Sequence, residues 1–273
     1  MKYAEITICL TGVALLAYWL LKTSLGRTAL ADSMPRRNNM PLYLPFVPFF
    51  IWFGVVSLAA IIGKELTKDL PDWQIAVVDN VVFCVGATLT VIVIIVLARA
   101  HFARRLKGFG LNMRTCGKDL WAGSLNLLAV WPLIMAAIWM TVRIAERFYD
   151  QDYQMQQHQQ LELVTEHPQL MLQILIVAGA VVIVPLFEEL MFRGLIQTMM
   201  RSFLFQAGNR AWLAIVFSSG LFAIMHEEPG HWPALFVLGA CMGYAYEKSG
   251  SLLRPIFIHA IFNATSLIAT LNK

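Results

Sequence analysis

The sequence predicts an all-α polytopic membrane protein with eight to nine transmembrane helices. Of its 273 residues, 58% are hydrophobic and 14% are charged, whereas a soluble domain carries about a quarter charged residues. Apolar runs close to the roughly 20 residues that a spanning helix needs recur from one end of the chain to the other. The net charge of +4 then concerns membrane topology and anionic lipid headgroups, and it indicates no nucleic-acid partner.

Nine apolar segments underlie this prediction. The first could be mistaken for a signal peptide, because Ala29-Leu30-Ala31 is similar to a cleavage site. Its positive charges follow the apolar run, whereas a signal peptide carries them in front, so we expect a retained first helix. The predicted segments are residues 4–21, 42–63, 75–98, 120–142, 169–186, 187–206, 211–226, 231–247 and 252–271.

Basic loops indicate the orientation of the N-terminal segments. Residues 99–118 contain six arginine or lysine residues and no acidic residue, and residues 22–41 contain four basic residues. Because cytoplasmic loops are enriched in arginine and lysine, both loops are predicted to be cytoplasmic. The mildly acidic segment 143–168 should then lie outside.

Ionisable residues divide the chain into two parts. The spans within residues 1–168 contain almost none, and we expect these helices to frame the protein. An ionisable side chain inside a bilayer costs at least roughly 2–3 kcal/mol and is seldom kept without a partner or a task. The spans within residues 169–273 contain several, so we predict an intramembrane active-site cavity in this C-terminal half. Its candidate residues are Glu188, Glu189, Arg193, His226, His259 and Asn263.

The spacing around the acidic pair predicts different roles for its two members. Pro185 has no amide proton and should kink or restart the helix just before the pair. Glu189 and Arg193 are four residues apart, so they share a helix face and can form an ion pair. Glu188 is rotated by about 100° from Glu189 and therefore remains available for work as a base.

Two further residue pairs complete the predicted site. A hairpin turn near residues 207–209 would bring Glu188 and His226 to the same depth, because each lies 19 residues from Ala207. His259 and Asn263 are four residues apart on one face of the last span. Such a donor pair suits an oxyanion site, or a site that holds a water molecule or a metal ion.

Other catalytic motifs fit the sequence less well. The stretch "HEEPGH" at 226–231 spaces its histidines one residue too far apart for the zinc motif HExxH, and its Pro-Gly pair breaks the helix that this motif needs. Ser218 could act as a nucleophile with His259, although serine and glycine are common at helix contacts in membranes. There is no GxGD aspartyl motif, and the four cysteines show no metal-ligand spacing.

Three ordered motifs give the chain a family resemblance. They are "EELMFR" (188–193), "FAIMH" (222–226) and "HAIFN" (259–263), each on a separate apolar segment. Together they resemble the signatures EExxxR, FxxxH and HxxxN of the CAAX prenyl protease and bacteriocin-processing (CPBP, or Abi) family of intramembrane proteases. The resemblance covers about residues 169–271 and leaves the first four spans unmatched.

The resemblance implies peptide-bond hydrolysis without a covalent intermediate. Glu188 would act as general base on a water molecule with help from His226, and His259 and Asn263 would stabilise the oxyanion. The substrate would be a peptide or protein at the membrane, prenylated in the CAAX case. The protein would be an integral, multi-pass membrane protein, placed in the plasma (inner) membrane in a prokaryote.

The same resemblance leaves the cofactor open and implies a side of access. Glu188, His226 and His259 could bind zinc, but we favour a metal-free site because Asn263 is a better oxyanion donor than zinc ligand. Glu189 and Arg193 would support the site. Access in the family is from the cytosol, which would place residues 201–210 outside.

Two other functions fit parts of the pattern. A catalytically silent immunity or scaffold protein would suit a chain with degraded motifs, but all three motifs are intact here. A proton-coupled transporter could use Glu188 and His226 as a relay, but such folds are built from repeats, and none is visible in the sequence.

Overall fold

The computed structural model describes residues 2–148, 153, 155, 159–204 and 210–271. Ten helices are formed by these residues, and no β-strand is present among them. They are α1 (Lys2–Lys22), α2 (Phe46–Thr67), α3 (Asp72–His101), α4 (Arg105–Phe109), α5 (Cys116–Phe148), α6 (Gln159–Glu166), α7 (Leu170–Phe203), α8 (Arg210–Ile224), α9 (Trp232–Ser249) and α10 (Leu253–Leu271).

The helix lengths confirm the all-α membrane class. Five helices are long and apolar enough to cross a bilayer, namely α2, α3, α5 with the turn before it, α7 and α10. Shorter apolar stretches occupy Ile6–Lys22 in α1 and Ala211–Ile224 in α8. The total of eight to nine spans remains a prediction.

Helix α7 corrects two of the predicted segments. Residues 169–186 and 187–206 were expected to be separate spans, but a single helix runs from Leu170 to Phe203. Pro185 does not restart the helix, because a π-helical segment, Gly179–Ile183, precedes it and absorbs the change in hydrogen bonding. A second π-helical segment, Leu190–Gln197, follows the acidic pair. The predicted turn at 207–209 lies outside the described residues.

One end of the helix bundle forms what we call the basic face. The backbone amide of Ala103 donates to the Arg37 carbonyl at 3.1 Å, and Arg201 Nη2 donates to the Ser33 carbonyl at 3.1 Å. The backbone amide of Leu252 donates to the carbonyl of the residue that follows α4. The basic face comprises residues 22–45, 99–119, 198–204 and 247–254. Arg201 therefore lies on the same side as the loop 22–41, so the prediction that this loop is cytoplasmic and the prediction that residues 201–210 lie outside exclude each other.

The opposite end forms what we call the acidic face. Val164 and Leu172 pack with Leu267 near the end of α10. The hydroxyl of Tyr153 lies 2.9 Å from the position that a Cβ of Gly230 would occupy. The acidic face comprises residues 64–73, 143–148, 153, 155, 159–170, 225–232 and 266–271.

Candidate active site

A fully buried ion pair lies at the centre of the site. Arg193 Nη1 donates to Glu189 Oε1 at 2.9 Å, and both side chains have no exposed surface. This is the pairing that the four-residue spacing predicted. Arg193 also donates through Nη2 to the Gly239 carbonyl at 3.2 Å, and its guanidinium lies 4.6 Å from the centre of the Phe222 ring. The arginine thus ties α7 to both α8 and α9.

His259 lies between the two acidic residues of the motif. Its Nδ1 is 3.0 Å from Glu189 Oε1, and its Nε2 is 3.8 Å from Glu188 Oε2. An ionised carboxylate only accepts hydrogen bonds, so the short contact to Glu189 requires a proton on Nδ1. In its neutral form, His259 therefore presents an accepting Nε2 towards Glu188.

Glu188 retains an unused oxygen. Its side chain is 17% exposed, and Oε2 has no hydrogen-bond partner among the described residues. Buried polar atoms in native proteins are usually hydrogen-bonded, and the exceptions call for an explanation such as a catalytic role or a bound water. Glu189 is paired locally with Arg193, as its spacing predicted, although its own Oε2 also has no hydrogen-bond partner among the described residues. The availability of Glu188 as a base stays a prediction.

The ring of Phe222 packs against both His226 and His259. Its Nδ1 lies 2.8 Å from the Phe222 carbonyl, which can only accept, so Nδ1 carries a proton and Nε2 is free to accept. The Phe222 ring lies 4.9 Å from the His226 ring and 5.7 Å from the His259 ring. Among the described residues, no hydrogen bond or ion pair joins His226 to Glu188, although the sequence suggested that the two could touch.

Asn263 is engaged with the backbone of α7. Its Nδ2 donates to the Ala180 carbonyl at 2.8 Å. Within the π-helical segment the amide of Val184 donates to Gly179, five residues back. The next donor in that pattern would be Pro185, which has no N–H to give to Ala180. Asn263 replaces this missing donor with one of its two N–H groups, and its described hydrogen bond is therefore to the backbone of α7 and to neither carboxylate.

A row of polar residues extends from the site towards the basic face. The sequence analysis did not identify these residues. Gln197 Nε2 donates to Glu247 Oε1 at 3.1 Å, and Arg201 lies 3.6 Å from Glu247 Oε2. These side chains are buried. The four-residue spacing that links Glu189 to Arg193 continues through Gln197 and Arg201, and this signal was present in the sequence. Each polar group on α7 needs a partner inside the membrane, and α9 supplies one.

The geometry gives little support to a zinc site or to a serine nucleophile. No group of three or more histidine, cysteine, aspartate or glutamate side chains in the described parts of the chain could hold a metal ion. The zinc set of Glu188, His226 and His259 is therefore not assembled, and we derive no step through a metal. The hydroxyl of Ser218 donates to the Phe192 carbonyl at 3.1 Å, which is a packing contact between helices.

Comparison with known proteins bears on the same region. Residues 170–265 match the family model described as type II CAAX prenyl endopeptidase Rce1-like. No curated protein and no solved structure matches the chain. The matched residues include all three motifs and both carboxylates beside His259. The match confirms the resemblance drawn from the motifs: residues 170–265 of this integral membrane protein are similar to the Rce1-like family of endopeptidases.

Proposed function

We propose that this protein is an intramembrane endopeptidase that hydrolyses a peptide bond through a water molecule activated by Glu188. The observation that carries the proposal is the position of Glu188 Oε2, which is buried among the membrane helices without a hydrogen-bond partner in the described residues and lies 3.8 Å from His259 Nε2. A carboxylate in such surroundings is costly unless it has a task. The matched endopeptidase family makes hydrolysis the task that fits best.

The reaction has two proton transfers. Glu188 removes a proton from water as the water oxygen attacks the carbonyl carbon of the scissile bond. The carbonyl oxygen becomes an oxyanion in the tetrahedral intermediate. The protonated Glu188 then gives its proton to the leaving nitrogen, the C–N bond breaks, and the carboxylate is restored. No covalent bond to the protein forms in this sequence.

The two histidines and the asparagine hold the water and stabilise the negative charge that develops on the carbonyl oxygen. His226, whose Nε2 is free to accept, helps to hold the water. When protonated, His259 keeps its Nδ1 contact with Glu189 and can donate from Nε2 to the oxyanion. Asn263 has one N–H beyond the bond to Ala180 and would act as a second donor once substrate is bound.

Glu189 and Arg193 support the reaction by positioning His259. Their ion pair holds Glu189 Oε1 at the Nδ1 side of His259, which fixes the histidine ring and its proton. A histidine that is oriented by a carboxylate presents its second nitrogen in a defined direction. We assign both residues to support of the site.

The substrate is proposed to be a peptide or protein at the membrane, and no cofactor is assigned. The substrate class that the family description names is the prenylated CAAX type. The oxyanion donors proposed here are side chains of the protein. We therefore propose a reaction in which no step requires a metal ion.

A comparison of proteomes tests this function. Cells carrying the wild-type protein or Glu188→Gln should differ in a small set of cleaved membrane-associated proteins, and the peptide termini would identify the substrate. The exchange keeps the size of the side chain and removes its charge. Glu65→Gln, an exposed site on α2, is the matched control and should resemble the wild type. Identical proteomes for the wild type and Glu188→Gln would contradict the proposal and favour a silent immunity or scaffold role.

A further inference from the structure

A small cavity lies at the basic face, where four helices begin or end. Helices α4 and α9 end beside it, and α5 and α10 begin beside it. Its volume is about 160 Å³. None of its lining residues belongs to the three motifs, so it is separate from the candidate active site. The lining includes Arg104, Lys107, Gly110, Asn112, Gly250 and Ser251.

Two glycines shape the walls of this cavity. Gly110 and Gly250 have φ angles of 107° and 72°, which other residues rarely adopt. A Cβ on Gly110 would lie 2.9 Å from the carbonyl oxygen of Gly250 and 2.9 Å from the amide nitrogen of Leu252. This close approach lets the carbonyl of Gly110 accept a hydrogen bond from the Leu252 amide at 2.9 Å. The backbone thus joins the end of α4 to the start of α10 and holds the cavity in shape.

Two positive charges line the cavity, and no lining residue is acidic. The side chains of Arg104 and Lys107 are exposed, and neither forms a hydrogen bond or an ion pair in the described parts of the chain. Two helices begin here and two end here, so the partial charges at the helix ends oppose each other. The two side chains therefore set the sign of the potential in the cavity, and this potential favours an anion.

The carboxylates closest to the lining residues in the chain are engaged elsewhere. Asp119 Oδ1, in the first turns of α5, accepts from Arg254 Nε at 3.1 Å. Glu247 Oε1, near the end of α9, accepts from Gln197 Nε2 at 3.1 Å and is buried. Residues 205–209, which connect α7 to α8 in the sequence, contain no acidic residue. The two cations of the cavity are therefore available to an anion from outside the protein.

Uncharged donors complete the lining. Ser251 is 7% exposed, and its Oγ accepts from the Leu253 amide at 3.3 Å, whereas its hydroxyl proton has no acceptor among the described residues. Asn112 Oδ1 accepts from the Arg114 amide at 3.4 Å, and the Nδ2 group of Asn112 likewise has no acceptor there. Buried polar groups in native proteins are usually hydrogen-bonded. An anion with several acceptor oxygens would bind these donors together with the guanidinium and ammonium groups.

An exposed tryptophan on α5 places the cavity near the lipid headgroups. Trp121 is 68% exposed, and Thr115, which also lines the cavity, lies six residues before it (121 − 115). Six residues of helix correspond to about 9 Å. Tryptophan is enriched at the interface between membrane and water, and α5 continues from there as an apolar span. The cavity is therefore close to the layer that contains the phosphates of phospholipids.

We infer that this cavity binds a phosphate group through Arg104 and Lys107, with Ser251 and Asn112 as further donors. The phosphate is supplied by the headgroup of an anionic phospholipid or by free inorganic phosphate, and the level of the cavity favours the lipid. This binding goes beyond the proposed endopeptidase function and does not depend on it. A bound phosphate would tie α4 to the start of α10, the helix that contains His259.

Binding of lipid to the purified protein tests the inference without an assay of cleavage. The full chain in a neutral detergent is titrated with dioleoylphosphatidylglycerol, with zwitterionic dioleoylphosphatidylcholine or with inorganic phosphate. Native mass spectrometry counts the bound molecules, and thermal unfolding at constant ionic strength measures the stabilisation. Arg104→Gln with Lys107→Gln removes both charges of the cavity. Arg114→Gln with Lys118→Gln is the matched control, since both residues are exposed at the basic face but do not line the cavity.

We expect one phosphatidylglycerol molecule to bind and to raise the melting temperature. The cavity variant should weaken this binding by about tenfold or more, because each charge-assisted hydrogen bond contributes at least about a factor of ten. The control should stay within about threefold of the wild type, because diffuse attraction between exposed charges is screened by salt. Inorganic phosphate that stabilises the protein in place of the lipid, with the same loss in the cavity variant, would support the site and assign it to free phosphate.

Three results would overturn the inference. Equal losses in the two double variants would leave only a diffuse attraction to a basic surface. Equally tight binding of phosphatidylcholine would remove the selection for an anion, and binding of neither phosphatidylglycerol nor phosphate would remove the site. The single variant Lys107→Gln is the second probe in case the double variant is unstable. Because no cleavage is measured, a failed proteolysis assay would count against the proposed function alone.

Discussion

Helices α2 and α7 cross the same membrane but differ in what they bury. In α2, 6% of the most apolar 18-residue stretch is buried inside the protein, against 28% in α7. Large side chains such as Phe50 and Ile61 are more than half exposed on α2. On α7 the fully buried side chains include Glu189, Arg193 and Gln197. Helix α2 is thus almost entirely exposed on the outside of the protein, whereas α7 turns its polar residues towards the inside.

This difference in burial follows from the lipid that surrounds the helices. Lipid tails are as apolar as leucine, so an apolar side chain gains little when it moves from lipid into the protein. A charged or amide side chain gains much, because lipid offers it no hydrogen bond. The stability of this fold should therefore depend on the partners of the polar residues on α7. Substitutions of apolar residues on α2 should have small effects.

The largest effect should come from the buried ion pair. Arg193→Ala leaves Glu189 buried without its counter-charge, and removal of one partner of a buried pair costs about 3–5 kcal/mol. Urea unfolding in detergent measures the change. Ile61→Ala on α2 is the control and should stay within about 0.5 kcal/mol of the wild type. The double variant Arg193→Ala with Glu189→Ala should be more stable than Arg193→Ala alone. Equal losses for Arg193→Ala and Ile61→Ala would contradict the comparison.

Activity should respond to the same ion pair in a graded way. Glu189→Ala removes the contact that orients His259 but keeps Glu188, so we expect a destabilised protein with reduced cleavage. Glu188→Gln should abolish cleavage while insertion and thermal stability stay near wild type. Rates normalised to folded protein, with folding checked by size-exclusion chromatography, separate the two outcomes. Full activity in Glu189→Ala would remove the supporting role.

A smaller effect should come from the close approach of α7 and α9. A Cβ on Gly243 would lie 2.8 Å from Gln197 Oε1 and 3.1 Å from Ile215, whereas nothing lies within 4 Å of the same position on Gly54 of α2. Gly243→Ala should therefore destabilise the protein by about 1–3 kcal/mol. Gly54→Ala should be neutral or stabilise by up to about 1 kcal/mol, since alanine favours helix. A neutral Gly243→Ala would show that the two helices are not tightly packed.

A double-variant cycle tests the link between Asn263 and Pro185. Asn263→Ala should destabilise by about 1–3 kcal/mol, because the Ala180 carbonyl loses its donor. In a Pro185→Ala background the new amide at 185 can donate to Ala180, so the loss on Asn263→Ala should shrink. Additive effects in thermal or urea unfolding would disprove the proposed compensation.

The smallest effect is expected from metal removal. Because the proposed reaction uses side-chain groups alone, cleavage should be unchanged after dialysis against EDTA or 1,10-phenanthroline. The measurement is the cleavage rate together with the metal content of the purified protein. Loss of activity that zinc restores would replace the metal-free mechanism.

Local spacing predicted part of the site from the sequence alone. The Glu189–Arg193 pair depends on two residues one helical turn apart, and the four-residue spacing was sufficient to predict it. The position of His259 between Glu188 and Glu189 depends on how α10 packs on α7. No periodic pattern encodes that packing, and only the family motifs suggested that the residues meet.

Pro185 and Asn263 show why other expectations failed. A proline usually ends or kinks a helix, so two spans were predicted where α7 is continuous. The π-helical segment and a side chain 83 positions away in the sequence compensate for the missing amide. A donor supplied from so far along the chain cannot be read from local sequence.

The most direct test of the central claim is cleavage by purified protein. Wild type, Glu188→Gln and Glu65→Gln are reconstituted into lipid vesicles with a substrate identified from the proteomes, and initial rates are measured. Glu188→Gln should be slower by roughly 100-fold or more, the range for loss of a general base, while Glu65→Gln matches the wild type. A correctly folded Glu188→Gln protein that cleaves at close to the wild-type rate would contradict the account.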